Sequence, residues 1–146
     1  MEDASYKSYN DYLIKNWENV FSSMLKLVAT EISVYGDLMR QHTPPATGRI
    51  DFLVKPLWRQ KKYLVEATLN DSSDKWGGFK ILAYRAAFSM DNVIKPSEYG
   101  AMIFLTQSCF NYRLRNILSV LGIEWCVFTL KDDFILELRE ASLWET

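Results

Sequence analysis

Two carboxylates stand where a carboxylate is costly. Asp51 lies inside the run IDFLV, and Glu66 lies inside YLVEATL. An ionised carboxylate in an apolar strand is destabilising unless something pairs with it. If the two runs are hairpin neighbours, the side chains converge and repel, and a bound cation removes that repulsion. Mg²⁺ suits such a pair, because it takes one or two carboxylates and keeps several waters. A metal held this way can activate water and neutralise charge on a phosphodiester.

The elements that would carry these residues are read from periodicity. Residues 5 to 39 carry Tyr9, Leu13, Trp17, Val20, Phe21, Met24, Leu25, Leu27, Val28 and Ile32 at three- and four-residue spacing, which predicts helix, with Gly36 able to end it. Gln41 to Gly48 holds Pro44 and Pro45 and reads as loop. Arg49 to Val54 and Tyr63 to Leu69 read as two strands that can pair as a hairpin around Lys55 to Lys62. Ser72, Ser73 or Asp74 could cap a helix over Lys75 to Met90. Ala101 to Thr106 and Glu124 to Leu130 are apolar runs of the kind buried on both faces. Asn111 to Leu121 is an amphipathic helix stopped by Gly122, and Phe134 to Leu138 adds a short edge strand. The expected order is α-β-β-α-β-α-β, with the edge strand last. It implies an α/β domain over residues 1 to 146, with a mixed central sheet flanked by helices.

GRIDFLV, then VEAT with fourteen residues between Asp51 and Glu66, resembles the G-x-I-D … (D/E)-x-K signature of the PD-(D/E)xK nuclease superfamily, nearest to its RecB-like and Holliday-junction-resolvase-like branches. The matching residues are Gly48, Ile50, Asp51, Val65 and Glu66. The pattern extends over roughly residues 10 to 130, because the family core is also helix, three-stranded meander, helix, strand. The resemblance implies a restriction-endonuclease-like core and a site in which Asp51 and Glu66 bind Mg²⁺ or Mn²⁺. One position departs from the family: its lysine slot, two residues after the glutamate on the same strand face, is Thr68. In RecB-like relatives the following helix bears Q-x-x-x-Y facing the site. Here it bears Lys80-x-x-x-Tyr84, and positions i and i+4 share a helix face. Lys80 could therefore supply the missing charge, with Lys75 as a weaker candidate and Tyr84 orienting the site or contacting a phosphate. The competing explanation is that catalysis is lost and the fold remains. Family members also take a carboxylate from the first helix, for which Glu31 and Glu18 are candidates; a solvent-facing role is the preferred reading of each.

Bulk charge gives no direction: 17 basic and 18 acidic residues leave −1. Its distribution is uneven. Residues 49 to 85 hold Arg49, Lys55, Arg59, Lys61, Lys62, Lys75, Lys80 and Arg85 against Asp51, Glu66, Asp71 and Asp74. That is compatible with a polyanion substrate or with an ordinary solvated face. Trp58, Arg59, Gln60, Lys61 and Lys62 form a hairpin tip that could meet a nucleic-acid backbone or stack on a base, with an ordinary solvated turn as the equal alternative. Gly77 and Gly78 could admit a phosphate or allow close helix packing, and packing is preferred. Arg113 and Arg115 default to surface. His42 is the only histidine, which argues against zinc sites and histidine-based triads. With 49% hydrophobic residues the chain can build a core. Cys109 and Cys126 lie in apolar surroundings, where a buried thiol is the default and a disulfide stays open. The polar N-terminus and the lack of an apolar run near the roughly 20 residues of a membrane helix lead to the expectation of a soluble, cytoplasmic protein.

The leading expectation is thus a metal-dependent DNA nuclease using Asp51, Glu66, Lys80 and Tyr84, with Arg49, Arg59, Lys61, Lys62 and Lys75 contacting DNA, acting as a homodimer. The alternatives are an inactive nuclease-fold domain that binds nucleic acid or a partner protein, and an assembly subunit using the fold as scaffold.

Overall fold

The computed structural model describes residues 6–39, 41–69 and 77–145. Two short helices open the described chain, α1 (Tyr9–Lys15) and α2 (Trp17–Phe21). Ser8 caps α1 by accepting from Asp11 N–H. Strands β1 (Leu25–Val34), β2 (Gly48–Pro56) and β3 (Tyr63–Thr68) follow, then α3 (Gly77–Asn92), β4 (Gly100–Thr106), α4 (Tyr112–Leu121), β5 (Ile123–Asp132) and β6 (Ile135–Ala141). The six strands form one sheet in sequence order. β1, β2 and β3 make an antiparallel meander, β3, β4 and β5 run parallel through crossovers α3 and α4, and β6 returns antiparallel. The fold is therefore α/β with a mixed six-stranded sheet flanked by helices.

One expectation is corrected. Residues 25–34 are a strand and not the continuation of the first helix, so the order is α-α-β-β-β-α-β-α-β-β. The helix ends where Ser22 and Ser23 take positive φ, 48° and 62°. Beyond it Val28, Thr30, Ile32 and Val34 are β-branched at every second position, which favours a pleated surface. A register shift between Leu27 and Ala29, and a positive φ of 52° at Glu31, move residues between faces and blur the period of two. The apolar positions that remain imitate a helical stripe.

The sheet is buried on both sides. One face packs Leu13, Trp17 and Phe21 of the first helices against Phe52, Val65, Met102, Phe104 and Phe128. The other packs Ile81 and Ala87 of α3 and Leu118 of α4 against Ile50, Leu64, Ile103, Trp125 and Val127. Phe104 is fully buried on the central strand β4 and has ring contacts with Trp17, Phe21, Phe52 and Phe128. At the far end of α3, buried Asp91 accepts from Tyr35 N–H at 2.8 Å and Asp37 N–H at 3.1 Å, tying the chain after β1 to the helix. Gly122 ends α4 in the left-handed conformation, φ 71°. Cys126 is buried, Cys109 is half-buried, and both are free thiols. No described helix is long and apolar enough to cross a membrane.

Because Phe104 joins four other rings, Phe104→Ala should destabilise the fold by about 3–5 kcal/mol. Urea unfolding followed by circular dichroism measures this, and a loss below about 1 kcal/mol would contradict a core centred on this ring.

Candidate active site

The site lies where β2 parts from β3. The ladder between them pairs Val54 with Tyr63, Leu53 with Leu64 and Phe52 with Val65. One step further, the same register sets Asp51 opposite Glu66. Side-chain alternation along β2 also breaks here. Ile50 and Phe52, two residues apart, face opposite cores, so the strand twists at Asp51. The Asp51 carboxylate lies against β3: Oδ2 accepts from Ala67 N–H at 2.8 Å, and Oδ1 accepts from Asn10 Nδ2 at 3.1 Å. A side chain thus takes a backbone donor of β3 just past the paired segment.

Glu66 sits on the face covered by α3, and only 8% of it is exposed. It stands opposite Asp51 one step beyond the paired rungs, close enough for the two carboxyls to influence each other's protonation. Burial pushes the Asp51 carboxyl above the ordinary aspartate range; the Ala67 N–H, the Glu66 side chain, the Asn10 amide and the charge of Arg49 oppose the shift without cancelling it. Lys80, in the first turns of α3, brings Nζ to 4.0 Å from Glu66 Oε1. Its side chain is 46% exposed, so the ammonium reaches both the carboxyl and solvent. Tyr84, one turn on, lays its ring over Gly48 at the start of β2. A Cβ at position 48 would overlap ring carbons of Tyr84. The glycine that opens the GRID segment is therefore a packing requirement of α3.

The expected residues divide by place. Asp51, Glu66 and Lys80 border the opening between β2 and β3, whereas Tyr84 packs on Gly48, three residues before Asp51 on β2. Arg49 stands two residues before Asp51 and forms an exposed ion pair with Glu31 at 3.7 Å. Glu31 falls opposite Asp51 in the β1–β2 register, on a strand and not on the first helix. Glu18 accepts from Ser23 on exposed surface. Thr68, in the lysine slot, donates its hydroxyl to Phe104 O of β4. Arg59, Lys61 and Lys62 sit at the other end of the hairpin, beyond the three paired rungs; Lys62, the nearest in sequence to Glu66, is four residues from it, or roughly 13 Å at about 3.3 Å per residue. Arg59 donates to the Tyr63 hydroxyl there. Lys75, Trp76 and the capping candidates Ser72, Ser73 and Asp74 lie outside the described residues. Arg115 pairs with Glu140 and stacks over Phe110 and Trp125, well occupied within its own cluster. His42 stacks on Tyr35.

Among the described residues no three His, Cys, Asp or Glu side chains form a metal-holding group. Two carboxyls with hard oxygen donors still fit a cation that retains most of its waters. Asn10 was the residue that sequence reading missed. Nothing in its local pattern, SYNDYL, marks it, because its partner is 41 positions away.

No family model matches the sequence, and no curated protein matches it. One solved structure is similar. It is the structure of Pyrococcus furiosus SfsA in complex with Ca²⁺, with a TM-score of 0.42 and 10% identity. The match covers 88% of this chain and 59% of that one, so this chain spans about three fifths of the length of that protein.

The raised Asp51 pKa has a signed consequence. Its contribution to stability is fully present below the ordinary aspartate value near pH ~4 and is lost as pH rises through the higher folded value. Asp51→Asn should remove that fall. Urea midpoints taken from acid to neutral pH should decline more steeply for the native protein than for the variant, and a shallower decline would contradict the burial of this carboxyl. Gly48→Ala should destabilise by about 1–3 kcal/mol, with the Tyr84 ring displaced. Thermal unfolding measures it, and Gly48→Ala combined with Tyr84→Ala should recover part of the loss.

Proposed function

We propose that this chain is a metal-dependent nuclease acting on DNA, with Asp51 and Glu66 as ligands of Mg²⁺ or Mn²⁺. The observation that carries the reading is the placement of two carboxyls at facing positions of adjacent strands, with an ammonium 4.0 Å from one of them. Two facing carboxyls, one buried and one half-buried, need a proton or a cation between them. When bound, the cation supplies charge neutralisation at a phosphodiester and a more acidic water.

The chain's own residues do the rest. Lys80 takes the place of the family lysine: its ammonium offsets charge developing on the phosphoryl oxygens and orients an attacking water through its donors. Thr68 cannot do this, since a hydroxyl has no positive charge and this one is turned toward β4. Tyr84 fixes the height of α3 over β2 and so sets the reach of Lys80. Arg49 contacts a flanking phosphate beside the site. Arg59, Lys61 and Lys62, with Lys75, engage the backbone further along the duplex. A homodimer would extend the grip of so small a domain.

A second reading is favoured by two observations. Both Asp51 oxygens already accept protein donors, and the lysine slot is filled by a residue bonded inward. On that reading the acid pair is a relic, and the domain binds nucleic acid or a partner protein without cutting.

Cleavage of single-stranded, duplex and branched DNA in Mg²⁺ or Mn²⁺ separates the two. Wild type should cut, Asp51→Ala and Glu66→Ala should fall to background, and Lys80→Ala should lower kcat by about 10²–10³-fold. Cleavage unchanged by both carboxylate substitutions removes the nuclease reading. DNA binding without cleavage in wild type selects the second.

A further inference from the structure

We infer that Asn10 is a positioning residue that fixes the rotation of the Asp51 carboxylate and so presets it for a divalent cation. The inference rests on the metal-binding reading of the site given above.

Asp51 is held by two N–H donors from different elements on different oxygens. Ala67 N–H of β3 meets Oδ2 at 2.8 Å, and the Asn10 amide of α1 meets Oδ1 at 3.1 Å. One donor leaves a carboxylate free to swing about its Cβ–Cγ bond. Two donors, one to each oxygen, define its plane. Each oxygen has a second lone pair, so neither bond exhausts its capacity to ligate.

The type of residue matters as much as its place. An Arg or Lys at position 10 would neutralise Asp51 and compete with a cation for it. An amide orients the carboxylate and leaves its negative charge intact. Asn10 also approaches from the face of α1, whereas Lys80 comes with α3, on the other side of the sheet. Orientation and charge compensation therefore arrive from opposite faces. α1 can act as a fixed support because Leu13, one turn beyond Asn10, is fully buried, and Ser8 caps the helix start. Partners that orient metal ligands in this way are typically worth about 10–100-fold in metal affinity.

The test is Mn²⁺ binding to the full chain, followed by electron paramagnetic resonance of the free ion. It compares wild type with Asp51→Ala, Asn10→Ala and Asn10→Gln, each first shown to be folded by circular dichroism. Wild type should bind, and Asp51→Ala should lose binding. Asn10→Ala should bind about 10–100-fold more weakly. Asn10→Gln, which keeps the amide on a longer stem, should recover part of the affinity and stands in if the alanine variant does not fold. In metal-free protein the Asp51 ¹³Cγ resonance should move in Asn10→Ala and return toward the wild-type position in Asn10→Gln, which a purely structural role for the helix would not produce. Wild-type Mn²⁺ affinity in Asn10→Ala overturns the positioning role while leaving the metal site standing. Absence of Mn²⁺ binding in wild type, or wild-type binding by Asp51→Ala, overturns the site reading and this inference with it.

Discussion

The structure turns on the separation of β2 from β3 just past Phe52. Up to that residue the two strands satisfy each other's backbone groups. Beyond it the donor at Ala67 needs another acceptor, since a buried N–H left unmade is costly. The Asp51 side chain meets that need, which brings its carboxyl into the sheet plane beside Glu66. One local accounting of hydrogen bonds thus produces the two features that define the site: an opening in the sheet, and an acid pair at its mouth.

Helix α3 brings the positive charge to this opening. The strand position that would project a side chain on the same face as Glu66 is Thr68, and its hydroxyl turns to the carbonyl of Phe104. Lys80 instead approaches Glu66 from above the sheet, at a height set by the contact between Tyr84 and Gly48. The Lys80 side chain is half-exposed, so its head group reaches solvent as well as the carboxyl.

Much of the fold was legible because its central strands have strong local signals. β4 and β5 are continuous apolar runs, and α4 is bracketed by Asn111 and Gly122, so their placement followed from composition and capping. β1 was misread because a bulge and a left-handed residue erase the alternation that identifies a strand. The family likeness implied a three-stranded meander, and the periodicity of residues 25–34 concealed its first strand. Asp51 and Glu66 were conspicuous because charge inside an apolar strand is a local anomaly. Asn10 was silent for the opposite reason: a polar residue on a short helix is ordinary until its distant partner is known. The hairpin-tip cations were legible as a basic group, but the length of the ladder that separates them from the acid pair was not.

Asp91 near the end of α3 and Tyr84 at its middle clamp the helix, one to the chain leaving β1 and the other to the first residue of β2. Both anchors belong to the β1–β2 hairpin, so helix and hairpin form one mechanical unit. A slide of α3 by one turn, about 5.4 Å, would have to break both anchors together. The lysine on this helix consequently keeps a fixed address over the sheet, although its own side chain is half in water.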